Sequence, residues 1–110
     1  MENHFLTVSD IEALEGLSER SNETPVVIFK HSSTCGVSSI AYREMARVQG
    51  VVALVDVQSA REVSREIEAR TGIEHESPQV IILRNGRAVW HASHSQIKAD
   101  AVEQAARENA

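Results

Sequence analysis

Three short runs of consecutive apolar residues constrain this chain most strongly. They cover residues 26–29, 51–57, where Asp56 interrupts the run, and 80–83, and segments with the apolar spacing of a helix lie between them. A continuous run of β-branched and aromatic residues is typical of a strand that is buried on both faces. Strands that are joined through a helix lie parallel with a right-handed crossover. The sequence therefore predicts an α/β sheet whose central strands are covered on both sides.

The spacing of apolar residues predicts four helices. The first covers residues 10–20, and Ser9 followed by Glu12 has the form of a capping box. The second runs over residues 36–49 and ends at Gly50. The third covers residues 60–70, and the last is capped by Ser95. The positions expected to face the core are Ile11, Leu14, Leu17, Ile40, Tyr42, Met45, Ala46, Val48, Val63, Ile67, Ala69, Ile97, Ala101, Val102 and Ala105.

A hairpin completes the predicted sheet. Asn85 and Gly86 form a strong two-residue turn signal, and residues 88–90 form the returning antiparallel strand, with Trp90 in the core or on the hairpin face. We therefore expect a four-stranded mixed sheet flanked by helices. At 110 residues the chain is long enough to bury its own core, so residues 1–110 are expected to form a single domain.

Cys35, the only cysteine of the chain, stands between the first predicted strand and the second predicted helix. A thiol at the first turn of a helix meets unpaired N–H groups and the positive end of the helix dipole, and both favour the thiolate. Such sites lower a cysteine pKa to roughly 3.5–7.5, and the thiolate is the nucleophile of disulfide exchange. Three residues on, where a dithiol protein has its resolving cysteine, the chain has Ser38. The second thiol must therefore come from outside.

Charge and cysteine content limit the classes of function. The net charge of −5 argues against nucleic-acid binding, which needs a basic face. A single cysteine excludes an intrachain disulfide, and an unpaired thiol suits a reducing compartment. The sequence shows no signal peptide and no apolar stretch of membrane-spanning length. We therefore expect a cytoplasmic protein with no membrane or nucleic-acid partner.

Four stretches carry a resemblance to a known family. They are residues 29–35 (Phe-Lys-His-Ser-Ser-Thr-Cys), 55–57 (Val-Asp-Val), 75–80 (His-Glu-Ser-Pro-Gln-Val) and 85–94 (Asn-Gly-Arg-Ala-Val-Trp-His-Ala-Ser-His). In this order they resemble the monothiol bacilliredoxin-like family of the bacillithiol redox system. The resemblance implies a thioredoxin-like fold, catalysis by Cys35, bacillithiol as co-substrate, and bacillithiolated client proteins. It also implies that Pro78 is the cis-proline that this fold places opposite the thiol.

The residues around the thiol supply a set of candidate substrate-binding positions. The Ser38 hydroxyl lies one helical turn from Cys35 and can hydrogen-bond the thiolate, the alternative being a solvated helix serine. The Ser77 backbone before Pro78 can pair with an extended ligand, the alternative being a strand-entry proline, and Thr34 also suits a structural role as helix cap. Lys30 offers a cation for the malate unit of bacillithiol, the alternative being a basic residue at the surface. The proposed set is Thr34, Gly36, Ser38, Ser77, Pro78 and Lys30. No resident metal is expected, and the protein is expected to be a monomer or a weak dimer.

Two other classes of function remain open. The family often has proline where this chain has Gly36, and the run Thr34-Cys35-Gly36-Val37-Ser38 is also similar to the Cys-Gly-Phe-Ser motif of monothiol glutaredoxins, which can carry an iron–sulfur cluster. The chain lacks the Thr-Val-Pro and Gly-Gly sequences of those proteins. A thioredoxin fold can also serve as a non-catalytic binding module. A His-x-x-His pair follows Trp90, at residues 91 and 94; a polar strand end is the favoured interpretation over a metal site.

Overall fold

The structure, a computed structural model, describes residues 4–32 and 36–110, without the side chains of residues 36–38. These residues fold into a sheet that is covered by helices on both faces. The elements in chain order are β1 (Phe5–Thr7), α1 (Ile11–Arg20), β2 (Val26–His31), α2 (Gly36–Ala46), β3 (Val52–Asp56), α3 (Arg61–Thr71), β4 (Gln79–Arg84), β5 (Arg87–Ser93), a 3-10 turn (His94–Gln96) and α4 (Ala99–Glu108).

The sheet is mixed and has five strands in the order β1-β3-β2-β4-β5. The strands β1, β3 and β2 are parallel, and β4 and β5 run antiparallel to their neighbours. The α/β class is as predicted, whereas the number of strands was predicted one too low. The missed strand β1 has only three residues, of which two are exposed. Its pairing with β3, not its own apolar pattern, makes it a strand.

Two hydrophobic cores cover the two faces of the sheet. On one face, α1 and α3 pack on alternate strand residues such as Ile28, Val55 and Ile81. On the other face, α2 and α4 pack on the intervening residues, including Phe29 and Ile82. Side chains of successive strand residues point to opposite faces. The continuous apolar runs of the sequence therefore supply both cores at once.

The second helix differs from its prediction in length and in the face that it buries. It ends at Ala46, three residues early, and Gly50 takes a φ of 90° in the turn that follows. Ile40 and Tyr42, predicted as core residues, are 66% and 37% exposed. Among the described side chains, Ala41 and Met45 are the buried ones of the helix, and Val48 is buried in the segment that follows it. Ala46 and Ala69, also predicted as core residues, are exposed.

The starts of the first and last helices also need correction. Asp10, not Ser9, caps α1, since its carboxylate accepts a hydrogen bond of 2.8 Å from the Ala13 N–H. Ser95 lies in the 3-10 turn, and α4 begins at Ala99. The Ala99 N–H donates to the Glu44 carboxylate of α2 at 2.8 Å. Glu44, which is far from Ser95 in the sequence, therefore caps the last helix in place of Ser95.

The predicted hairpin is confirmed. Asn85 and Gly86 both have positive φ, of 56° and 74°, and join Arg84 to Arg87 as a two-residue turn. Such a turn matches the twist of the two strands that it connects. Trp90 is half-buried and packs against the core on the α2 and α4 side. In the described part of the chain, no helix is long and apolar enough to cross a membrane.

Candidate thiol site

The carboxyl ends of β2 and β3 are tied together beside the start of α2. The Val57 N–H donates to the His31 carbonyl at 2.9 Å, and the Ser32 hydroxyl donates to Oε1 of Gln58 at 3.0 Å. Helix α2 begins at Gly36, the residue that follows Cys35 in the sequence. The Cys35 and Thr34 predictions fall on residues outside those described. The structure places Gly36 and Ser38 in the first turn of α2 without their side chains.

The Ser77–Pro78 segment enters the sheet beside this edge. The bond between the two residues is cis, as the family resemblance implied, and Pro78 is buried. The Pro78 carbonyl accepts a hydrogen bond of 3.0 Å from the His94 N–H. Within the described residues Ser77 has no hydrogen-bond partner, although its hydroxyl oxygen is buried. The segment thus has polar groups beside β4 that no other described residue uses.

Lys30 lies in the interior, on the face of β2 that α1 and α3 cover. The strand was predicted to end at residue 29 but continues to His31, so Lys30 takes a core position and is 0% exposed. Its Nζ has no hydrogen-bond partner among the described residues. Burial lowers the pKa of Lys30 to about 8, while the Glu68 carboxylate opposes this shift. The alternative interpretation as a surface basic residue is therefore wrong.

His31, the last residue of β2, lies on the other face of the sheet, which α2 and α4 cover. Its ring stacks on Phe29 at 5.5 Å between centroids and lies 5.8 Å from the Tyr42 ring. Phe5 of β1 extends this cluster, with its ring 4.7 Å from that of Tyr42. Burial lowers the pKa of His31, and the nearby Asp56 carboxylate works against that effect. The aromatic cluster therefore packs α2, through Tyr42, against β1 and β2.

The two histidines after Trp90 have separate surroundings. His91 is exposed on β5, directly opposite Ile81. His94 donates from Nε2 to the Glu76 carboxylate at 2.8 Å, in the loop that leads to Pro78. His94 has a φ of 55°, a left-handed conformation that few residues other than glycine adopt. The His94 backbone bonds to Pro78 and its ring bonds to Glu76, so both fix the segment before β4.

Sequence reasoning missed a cavity of about 310 Å³ beside α3. Val57, at the carboxyl end of β3, and His75, before β4, form its walls together with one face of the helix. That face presents Arg61, Ser64, Arg65 and Glu68. The i, i+3, i+4 and i+7 spacing of these residues places them on one side of a helix. The polar stripe was visible in the sequence, but nothing there showed that it borders a cavity.

A larger cavity, of about 490 Å³, lies at the other end of the strands. Val26, the first residue of β2, and Val51, just before β3, belong to its lining. Open α/β sheets build their sites at the carboxyl ends of the strands. The larger cavity is therefore on the wrong edge to serve a thiol that follows β2.

The central parallel strands, the antiparallel hairpin and the cis-proline before β4 define a protein of the thioredoxin fold. A solved thioredoxin-fold protein, proposed to be an oxidoreductase, is 30% identical with a TM-score of 0.86, and the match covers 93% of each chain. Thioredoxin from Schistosoma mansoni is 19% identical over 94% of each chain, with a TM-score of 0.71. Thioredoxin from Trypanosoma brucei brucei is 18% identical with a TM-score of 0.75, over 94% of this chain and 88% of its own. The similarity to these two thioredoxins shows a shared fold only.

The chain belongs to the monothiol bacilliredoxin family. The family model described as "Monothiol bacilliredoxin BrxC" matches residues 6–102, which include the single cysteine and Pro78. This confirms the resemblance found in the sequence, and with it the thioredoxin fold and a function in thiol redox chemistry. Membership of this family also implies bacillithiol as the thiol substrate.

Proposed function

We propose that the protein removes bacillithiol from mixed disulfides of client proteins, with Cys35 as the nucleophile. The observation that carries the proposal is the family match over residues 6–102, which spans a single cysteine directly before the first residue of α2. A helix N-terminus stabilises an adjacent thiolate. Cys35 has no cysteine partner in the chain, so an external thiol must complete the cycle.

The reaction consists of two disulfide exchanges. The Cys35 thiolate attacks the bacillithiol sulfur of the client mixed disulfide. The new S–S bond joins Cys35 to bacillithiol, and the client leaves as a thiolate that takes up a proton. The thiolate of a free bacillithiol molecule then attacks the bacillithiol sulfur on Cys35. Bacillithiol disulfide leaves and the Cys35 thiolate returns, so each exchange breaks one S–S bond and forms one.

The surroundings of the thiol edge support binding of a disulfide substrate. The Ser77 backbone makes no hydrogen bond with the described residues, and we assign it to pairing with the extended chain of the ligand, in the manner of strand addition. Pro78 positions that backbone, and Thr34, Gly36 and Ser38 are assigned to the rim around the sulfur. The clients are bacillithiolated proteins, and the cytoplasm is the proposed location because the cycle needs a reducing thiol pool.

Intact mass spectrometry tests the proposal directly. The protein is incubated with a bacillithiolated client, in parallel with the same client glutathionylated, and the reaction is quenched with acid. We expect one bacillithiol-sized mass gain on the protein and an equal loss from the client. The Cys35→Ala variant is the control and should gain no mass. Transfer of glutathione only, or removal of bacillithiol by the variant at the parent rate, would exclude the proposed activity.

A further inference from the structure

Two arginines at the cavity beside α3 have no ionic partner among the described residues. Arg61 and Arg65 are exposed, one turn apart, on the face that lines the cavity. By contrast Arg70, on the same helix, pairs with Glu15 at 2.6 Å and Glu66 at 2.8 Å. Like charges at i and i+4 repel each other. Two neighbouring arginines without an ionic partner among the described residues therefore favour the binding of an anion in the cavity.

The remaining polar groups of the cavity suit a ligand that carries carboxylates. The Ser64 hydroxyl lies 3.3 Å from Nδ1 of His75 and can turn to donate to a ligand oxygen. Glu68 is the one acidic residue in the lining, and its carboxylate accepts the His75 N–H at 3.1 Å. The two guanidinium groups therefore outnumber the single carboxylate. Each guanidinium matches a carboxylate by two parallel hydrogen bonds.

The size of the cavity and its helix end point to a small ligand. A volume of about 310 Å³ is at the lower end of the range for small-molecule sites, about 300–1,000 Å³. Arg61 is the first residue of α3, where no side chain caps the helix. The free N–H groups of that turn add to the attraction for an anion.

The cavity lies at the edge of the sheet where β2 ends and the chain leads to Cys35. Its wall residue Val57 is hydrogen-bonded to His31, and the neighbouring Gln58 accepts from Ser32, three residues before Cys35 in the sequence. Three residues span at most about 11 Å. Lys30, the cation that the sequence suggested for the acidic part of the thiol, is fully buried. Arg61 and Arg65 of α3, by contrast, are exposed cations at this edge.

We propose that this α3 cavity binds the carboxylates of a small dicarboxylate, with Arg61 and Arg65 as its ligands. In the exchange reaction the dicarboxylate is the malate unit of bacillithiol, and this part of the proposal rests on the proposed function. The site then selects the low-molecular-weight thiol by its carboxylates, while Cys35 reacts with the disulfide and does not contribute to this selection. A free dicarboxylate such as malate presents the same chemistry.

Exchange kinetics with two client adducts test the role of the arginines. The double variant Arg61→Gln, Arg65→Gln is compared with Arg87→Gln, Arg107→Gln, which removes the same charge from two exposed arginines elsewhere. We expect the first variant to lose about tenfold in the second-order rate with bacillithiolated client, through loss of charge-assisted hydrogen bonds. The rate with the same client carrying β-mercaptoethanol should stay within twofold. The control variant should keep both rates.

Equal losses on both adducts, or no loss on either, would overturn the role of the cavity in selecting bacillithiol. A second experiment does not depend on exchange activity. The Cys35→Ser protein is titrated with malate, with glycerol as the uncharged comparison, and the amide signals of residues 61–68 are followed by NMR. Shifts with malate that vanish in the arginine variant show a site for the free dicarboxylate. A selective kinetic loss without such shifts shows a site for the tethered thiol only.

The same titration separates this proposal from the proposed function. If the parent protein transfers no bacillithiol, the exchange activity fails, and the malate shifts alone decide whether the cavity binds a dicarboxylate. Absence of those shifts together with absence of a selective kinetic loss excludes the site.

Discussion

Lys30 of β2 and Gln79 of β4 lie directly opposite each other in the sheet, and each buries a polar atom that has no hydrogen-bond partner among the described residues. These atoms are the Lys30 Nζ and the Gln79 Oε1. The Gln79 amide nitrogen, by contrast, donates to the Glu74 carbonyl at 3.0 Å. A buried unpaired amine is unfavourable in its charged form. Lys30 therefore destabilises the fold close to the strand end that leads to Cys35.

Replacement of Lys30 by methionine should stabilise the protein at neutral pH. Methionine has a similar volume and removes the charge that burial penalises. The lowered pKa of Lys30, about 8 against an ordinary 10.5, indicates a gain of about 3 kcal/mol at pH 7. Urea unfolding measures the free energy of unfolding, and Lys98→Met, at the exposed lysine, is the matched control.

The same lysine gives the parent protein a defined dependence on pH. The unfolded chain holds the Lys30 proton up to about pH 10.5, whereas the folded chain releases it near pH 8. Between these values the unfolded state binds more protons, so this contribution to stability rises with pH. The difference between Lys30→Met and the parent should therefore shrink from pH 7 to pH 10. A difference that stays constant would show that the Lys30 charge is compensated in the fold.

Phe5 and Tyr42 should be energetically coupled. Their rings are 4.7 Å apart and join the short strand β1 to the helix that follows Cys35. A double-mutant cycle with Phe5→Leu and Tyr42→Leu should give a coupling of about 0.5–1.5 kcal/mol in the free energy of unfolding. Leu6→Ala is the control, since Leu6 is exposed on the same strand. Additive effects of the two leucine substitutions would contradict the packing of β1 on α2.

Removal of the Asp10 side chain should weaken α1. The Asp10 carboxylate accepts the Ala13 N–H at 2.8 Å, and loss of such a cap destabilises a protein by about 1 kcal/mol. Chemical unfolding of Asp10→Ala and of Ser9→Ala distinguishes the observed cap from the predicted one. Ser9→Ala should leave the free energy of unfolding unchanged. A larger loss of stability in Ser9→Ala than in Asp10→Ala would instead support the predicted capping box at Ser9.

The Cys35 thiol should react faster in the folded protein than in the unfolded chain. A thiol pKa lowered to about 7 raises the thiolate fraction at pH 7 about fifteenfold over an ordinary thiol, while nucleophilicity falls about fivefold. The net expectation is a rate about threefold higher with a disulfide reagent. The urea-unfolded protein supplies the reference rate for the same cysteine. Equal rates in the two states would favour a non-catalytic binding module.

Local sequence signals predicted the elements whose conformation depends on their own residues. The apolar runs at β2, β3 and β4 need no partner to indicate buried strands, because both of their faces are apolar. Asn85 and Gly86 form the turn through their own backbone preferences. The family motifs likewise identified the bacilliredoxin resemblance, and that resemblance implied the cis-proline at Pro78.

Features that depend on residues far apart in the sequence were beyond local patterns. The end of β2 is set by pairing with Gln79 and Asp56, so the burial of Lys30 could not be read from its own position. Glu44 caps α4 from a separate helix, which left Ser95 without that role. The phase of α2 depends on how the helix meets the sheet. Ile40, although apolar, therefore lies in solvent.

The sequence by itself determined an α/β fold with a single cysteine before a helix, because strand burial, turn chemistry and the single cysteine are encoded in short stretches. Only the tertiary structure decided that β1 joins the sheet, that Lys30 is an interior amine, and that Arg61 and Arg65 border a cavity at the thiol edge. These outcomes depend on the packing of α3 and β1 against strands distant in the sequence. A local pattern carries no information on such contacts.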